Sequence, residues 1–337
     1  MIKKLALVFL CLVLAAAGGA YWAYGEIESY VSAPIDTQEK VLVTVPDGAN
    51  YHSVTRTLIN DGVISPSEWS RFAAKTHPEL TRLKAGTYEI DPSMTLADVF
   101  AVFRTGKEHQ FAITFVEGST FKEWREILNQ TDYLKHDTEN LSEAAIAKKL
   151  GLSSEKVEGL LLPETYHFVA GESDLSLLVR ASKQLQGALD LAWASRADKL
   201  PVKSAYDLLT LASIIEKETA VDEERGKVAS VFVNRLNKRM RLQTDPTVIY
   251  GMGDKYDGNI RKKDLRTPTP YNTYVISGLP PTPIAMPGKA SIIAAANPDS
   301  TPYFYFVASG YGGHKFSKTL AEHNRAVRQY LKVLRSQ

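Results

Sequence analysis

An α+β fold carried behind a membrane-spanning N-terminus is the class this sequence predicts, on three observations. Residues 5–24 form one apolar stretch without a charge. Residues 40–107 follow a strand–helix–helix–strand order. From about residue 119 to 200 the chain reads as mostly helical apart from 159–168, and after Met240 it turns rich in loop residues. At 337 residues the chain is long enough for about two or three domains with cores of their own.

The elements follow in order. The apolar stretch has the roughly 20 residues needed to cross a bilayer. Lys3 and Lys4 before it favour a cytoplasmic N-terminus, and Tyr21, Trp22 and Tyr24 suit the far interface. A cleaved signal peptide is the rival reading, because the alanines at 15–17 could serve a peptidase. Residues 26–39 read as a polar connector. A strand is expected over 40–45, turned by Pro46-Asp-Gly48, and an amphipathic helix over 51–60, ended by Asp61-Gly62. Ser65 with Glu68 reads as a capping box for a helix reaching about 75, with Pro66 at its first position. A second strand is expected over 85–90, and a helix from Thr95 to Thr105-Gly106. Thr44-Val-Pro-Asp-Gly48 is echoed by Thr114-Phe-Val-Glu-Gly118, which suggests two similar strand–turn–helix units.

Farther on, Gly159-Leu-Leu-Leu-Pro-Glu-Thr-Tyr-His-Phe168 lacks helical periodicity and reads as loop or short strand. Helices are expected over 175–194 and 205–219, then from Asp222 as cap with Glu223 and Glu224 complementing the dipole. Residues 242–253 carry turn chemistry inside apolar sequence, and 271–284 are rich in loop residues. A helix over 289–296, a buried strand over 303–307, a turn at 310–313 and a helix over 319–334 close the chain.

Composition excludes several classes. Net charge is only +2, which gives no electrostatic case for nucleic acid as a partner. The single cysteine, Cys11, lies in the apolar stretch, so the remainder has neither a thiol nucleophile nor a disulfide. The seven histidines show no metal-ligand spacing, no Gly-x-Ser-x-Gly elbow is present, and Gly310-Tyr-Gly-Gly-His-Lys315 fails the phosphate-loop pattern. No metal and no cofactor is expected.

What remains is carboxylate chemistry. Leu211, Ile214, Ile215 and Glu218 share one helical face, with a polar stripe at Thr210, Ser213 and Lys217. A Glu at the end of an apolar stripe loses hydration, which raises its pKa toward that of a general acid at neutral pH. The plainer reading is a helix-end Glu paired with a nearby Arg or Lys. Glu216 points about 200° away on the same helix, so the two cannot act together. Asp245 is either a second carboxylate or an Asx-turn residue before Pro246. One buried acid among Gln, Asn and Tyr donors suits a glycosidic bond. Gln243, Asn272 and Tyr305 are the expected sugar or N-acetyl contacts, with loop bracing as their alternative.

Three motifs, Glu158-Gly-Leu-Leu-Leu-Pro-Glu-Thr-Tyr166, Ala212-Ser-Ile-Ile-Glu-Lys-Glu-Thr219 and Leu242-Gln-Thr-Asp-Pro-Thr-Val-x-Tyr-Gly251, closely resemble the YceG-like endolytic murein transglycosylases. So do Tyr271-Asn-Thr-Tyr274, Gly278-Leu-Pro-Pro281, Tyr305-Phe-Val307 and Gly313-His-x-Phe-Ser317. Thr282 stands where that family usually has Gly, and Met286 where it is often polar. The resemblance implies an anchor at 1–25, a linker at 26–39, a LysM-like peptidoglycan-binding module at 40–110 and a lysozyme-like, mainly helical catalytic domain at 111–337. It implies cleavage of the β-1,4 bond between N-acetylmuramic acid and N-acetylglucosamine without water, leaving a 1,6-anhydro end. Glu218 matches the catalytic glutamate, and Gln243, Asp245, Tyr271, Asn272, Tyr305 and His314 are the implied substrate-binding residues. The implied setting is the periplasmic face of the inner membrane, on nascent glycan strands beside peptidoglycan synthases. A water-using muramidase relying on Asp245 with Glu218, and a non-catalytic wall-binding protein, are the other two readings.

Overall fold

The structure, a computed structural model, describes residues 1–336 and divides into two compact units. The first comprises Met1–Phe111 with His167–Gly171, the second Ala112–Tyr166 with the chain from Glu172 onward.

In the first unit, α1 (Ile2–Val31) is one continuous helix of 30 residues, about 45 Å long. The residues up to Gly25 are almost all exposed, whereas Ile27 and Val31 are buried with Ile35 in the core of the unit. Residues 26–39 are therefore not the polar connector that the sequence suggested. The apolar pair Ile27 and Val31, one turn apart, continues the helix into the fold. Backbone hydrogen bonds from Ile35 to Met94, Asp36 to Val63 and Leu96 to Ala33 then fasten the segment.

β1 (Val41–Val45) pairs antiparallel with β2 (Gly86–Ile90), Val41 opposite Ile90 and Val45 opposite Gly86. Helices α2 (Tyr51–Asn60), α3 (Ser70–Thr76) and α4 (Leu96–Thr105) cover this pair. Capping boxes Asn50–Ser53 and Thr95–Asp98 start α2 and α4, and Gly106 ends α4 in the left-handed conformation. Val43, Val45, Tyr88 and Ile90 from the sheet meet Val54, Leu58, Phe100 and Phe103 from the helices, all buried. Each such side chain contributes about 1.5–3 kcal/mol by leaving water. The expected capping box at Ser65 does not form. The Ser65 hydroxyl instead donates to Asp36 at 2.8 Å, and α3 begins later, at Ser70.

The second unit opens with residues 112–114 of β3 (Phe111–Thr114), which pairs with β4 (Thr165–Phe168) in a two-stranded sheet. The helices are α5 (Phe121–Asn129), α6 (Glu143–Lys149), α7 (Asp174–Ala194), α8 (Ala205–Glu218), α9 (Asp222–Asn237), α10 (Asp245–Met252) and α11 (Lys289–Ala296). The hairpin β5 (Tyr305–Ala308) and β6 (His314–Ser317) precedes α12 (Leu320–Ser336). The echo between the two strand–turn–helix segments holds in detail. β1 and β3 each lead through a glycine at positive φ (Gly48, 73°; Gly118, 75°) into a capping box, at Asn50 and Thr120.

α8 is the central helix, packed by α7, α9 and α11, with Leu208, Leu209, Leu211, Ala212, Ile214 and Ile215 fully buried. Of its presumed polar stripe, Lys217 is exposed but Thr210 and Ser213 are buried. Thr210 satisfies its hydroxyl on the Tyr206 carbonyl (2.9 Å). Ser213 donates to the Thr210 carbonyl (2.7 Å) and accepts from the Ile284 amide (3.0 Å). Local hydroxyl-to-carbonyl bonds let these two polar side chains be buried inside the helix packing.

Two further expectations are corrected. Residues 245–252 are helical, not loop, because Pro246 sits in the first turn, where its missing N–H costs no hydrogen bond. Asp222 is the first residue inside α9 and pairs with Arg225, rather than capping from outside.

Candidate active site

Ser204 starts α8 by accepting from the Asp207 amide (3.1 Å), and Thr219 stops it in extended conformation. Glu218 is consequently the last helical residue, at the negative end of the helix dipole. It is only partly exposed, and its side chain lines a cavity of about 440 Å³. α9 supplies Phe232 and Arg235, the segment before α10 supplies Gln243 and Thr244, the first position of α10 supplies Asp245, and Tyr274 adds a hydroxyl. Phe306 of β5 and His323 of α12 close the wall.

Burial pushes the Glu218 carboxyl above the usual carboxylate range. Thr244 opposes this by donating its hydroxyl to Glu218 Oε1. Asp245 adds to the rise, while His314 and Arg235 oppose it at longer range. The carboxyl is thus biased toward its protonated form, yet has a donor in place for its anion.

The strand of chain that presents Thr244 is pinned by a cluster of threonines. The Thr244 amide donates to Thr273 Oγ1 at 3.1 Å, and Thr247 and Thr273 share a 2.8 Å hydroxyl pair. Gln243 takes a positive φ of 48°, which swings the chain into this position, and its amide donates to the Thr273 carbonyl at 3.2 Å. Asp245 accepts the Tyr274 hydroxyl at 2.6 Å, and burial with that bond holds the Tyr274 phenol protonated. Arg235 is buried, its guanidinium donating to the carbonyls of Phe304 (2.7 Å) and Leu242 (2.8 Å). It braces β5 against the Thr244 segment. Burial lowers the His323 pKa, so that ring is neutral at pH 7, and it stacks on Tyr305 with centroids 5.3 Å apart.

Of the residues singled out in sequence, Glu218, Gln243 and Asp245 meet at this cavity. The other four do not line it. Asn272 is fully buried, its amide nitrogen donating to the Asp264 (3.0 Å) and Thr267 (2.7 Å) carbonyls and its oxygen accepting from the Tyr274 amide (2.9 Å). An amide spent in this way braces the loop and has no donor left for a sugar. Tyr271 faces another cavity and pairs with Thr282 at 2.9 Å, a contact that a glycine at 282 could not make. Tyr305 lies behind the wall, against His323 and 5.1 Å from the Arg235 guanidinium. His314 is bound to the Glu224 carboxylate at 2.8 Å. Thr244, Tyr274, Arg235 and His323 are residues sequence reading missed. Of these, Thr244 and Tyr274 lay inside quoted motifs, and nothing in the sequence brings α12 to this wall.

Glu216 faces elsewhere and accepts the Gly288 amide at 3.0 Å. A cavity of about 770 Å³ between α7 and α11 is largely apolar. Its charged residues, Glu164 and Lys289, pair at 2.8 Å. A cavity of about 1000 Å³ contains a second buried acid, Glu158, whose carboxyl burial pushes up to about 7. That carboxylate accepts the first amide of α5, Phe121, at 3.1 and 3.3 Å. Among the described residues no cluster of His, Cys, Asp or Glu could hold a metal ion.

Residues 43–329 match the model of the YceG-like family. The chain is 33% identical over 313 residues to the endolytic murein transglycosylase of Bacillus subtilis strain 168, covering 88% of this chain and 86% of that one. It is 28% identical to the endolytic murein transglycosylase of Streptococcus pneumoniae R6, over 98% of this chain and 66% of the relative. A crystal structure of a yceG-like protein from Listeria monocytogenes matches with TM-score 0.54 and 33% identity, over 86% of this chain and 99% of that one.

Proposed function

The chain belongs to the YceG-like family, and from that premise we propose that it is a peptidoglycan lytic transglycosylase, like the relatives named above. The reaction is cleavage of the β-1,4 bond between N-acetylmuramic acid and N-acetylglucosamine inside a glycan strand, without water. Glu218 gives its proton to the glycosidic oxygen as the bond to the muramyl anomeric carbon breaks. The resulting carboxylate then takes the proton of the muramyl 6-hydroxyl, whose oxygen bonds to the same carbon and closes the 1,6-anhydro ring. Glu218 ends protonated, ready for another strand.

The observation that carries this reading is the setting of Glu218: a carboxyl biased toward its acid by burial, open to a cavity, with Thr244 donating to its anion. One group can serve in both directions only if both protonation states are tolerated. The hydrolytic alternative assigns Asp245, whose Oδ1 accepts the Tyr274 hydroxyl, as a base for water.

The domain assignments extend the reading. Residues 40–110 serve as a LysM-like wall-binding module and residues 111–337 as a lysozyme-like catalytic domain. α1 anchors the chain once in the inner membrane, N-terminus inside, with glycan strands and their synthases as partners. Mass spectrometry of digested glycan tests the central claim. Anhydro ends are expected from the native chain, and none from Glu218→Gln. Reducing ends would sink the non-hydrolytic step, and an active Glu218→Gln would sink the assignment of the acid.

A further inference from the structure

α1 leaves its apolar stretch without a break and does not leave alone. Trp22 lies one turn, about 6 Å, on the apolar side of Glu26, the first charge after Lys4. The Trp69 ring, at the start of α3, meets Trp22 edge-on with centroids 5.6 Å apart. Higher on α1, Glu28 lies 3.2 Å from His77 Nε2, just past the end of α3. These two contacts set α3 beside α1 with its Trp69 end toward the apolar stretch. Ala73 faces inward and is fully buried. The outward face carries Phe72, 36% exposed and 6.1 Å from Trp69, with the Arg71 guanidinium 4.8 Å over its ring. Lys75 is exposed one turn on, and Glu68 is the exposed acid before Trp69.

We propose that this face of α3, with Trp22, is a membrane-docking surface: Trp69, Phe72 and Arg71 sit in the headgroup region of the leaflet from which α1 emerges. The proposal rests on the reading of α1 as a membrane span. Its occupant follows from continuity. Trp69 touches α1 within the last turn of the apolar stretch, so a bilayer thick enough to bury that stretch must also reach Trp69. Amphipathic rings belong at that depth, and an Arg beside them can lay its stem over a ring while its charge reaches phosphate. In water the same surface would leave the Trp22 ring 61% and the Phe72 ring 36% exposed.

The full-length chain in lipid nanodiscs tests this with an environment-sensitive nitrobenzoxadiazole label. Three single-cysteine forms are needed: native Cys11, and Phe72→Cys or Arg71→Cys on a Cys11→Ser background. Expected are a blue shift at 71 and 72 with loss of emission to nitroxide lipids labelled near the headgroup, and loss at 11 to nitroxides deep in the chains. Quenching at 11 with aqueous, unquenched labels at 71 and 72 would overturn the docking surface and leave the span intact. No quenching at 11 would overturn the span and the docking surface with it. A blue shift at 72 without lipid quenching would mean that a second copy covers the face, which also overturns the proposal.

Discussion

Two buried glutamates in the second unit, Glu218 and Glu158, share one physical fact and differ in everything that matters for chemistry. Burial raises both carboxyls, that of Glu158 to about 7. Glu158 is 4% exposed and closes the N-terminus of α5, where its oxygens take the Phe121 amide. Glu218 sits at the opposite kind of helix end, the negative one, and faces an open cavity with a hydroxyl as its partner. A raised pKa therefore does not mark a reactive acid by itself. What separates the two is whether the carboxyl is spent on the fold.

The sharpest way to break this contrast is Glu218→Gln. Loss of a general acid should lower strand cleavage by about 10²–10⁴-fold, with the far-ultraviolet spectrum unchanged and the melting temperature no lower. Glu158→Gln should leave anhydro-product formation nearly intact at pH 6 and act on stability instead. The folded pKa of about 7 lies above the ordinary 4.5, so native Glu158 confers stability that is fully present below about 4.5 and lost as pH rises through about 7. The Gln variant, still able to accept the Phe121 amide, should lack that slope and gain up to about 3 kcal/mol relative to native above pH 8, read from urea midpoints across pH. If Glu158→Gln abolished activity at pH 6 without unfolding, the contrast would fail.

Smaller effects sharpen the contrast. Thr244→Val removes the donor to Glu218, a charge-assisted bond of about 1.5–3 kcal/mol. Cleavage should slow about tenfold or more, and the alkaline limb of the rate profile should move upward, since the group that lowers the Glu218 pKa is gone. A slower enzyme with an unmoved limb would mean that Thr244 only braces the loop. Least of all, Glu216→Gln should retain most activity, because the Gly288 amide still finds an acceptor. Loss equal to that of Glu218→Gln would remove the reason for choosing between the two.

The sequence was legible where local chemistry decides. The starts of α2, α4 and α11 fall where the sequence expected them, at 51, just after Thr95 and at 289, although the one capping box it offered, Ser65 with Glu68, does not form. It misled where tertiary packing overrides a local signal. Thr210 and Ser213 look like a solvated stripe until the bonds they make inside α8 are known. Pro246 looks like a turn residue but begins α10. Asn272 looks like a loop donor and proves to be wholly spent on its own loop. Glu218 stood out because its helix has a clear period. Glu158 did not, since it lies in a segment without one and is buried by the distant start of α5.

The unbroken passage of α1 into the first unit changes the kind of search open to that unit if it binds the wall as proposed. Had residues 26–39 been a flexible leash of 14 residues, its r.m.s. reach would be roughly 20 Å, and the unit would sample a hemisphere above the bilayer. A stiff stem removes that volume. With α1 in the bilayer, the unit rides at one altitude and can explore only by sliding sideways and turning about its own axis. Such a reader meets strands lying in one thin layer above the membrane and passes beneath all the others.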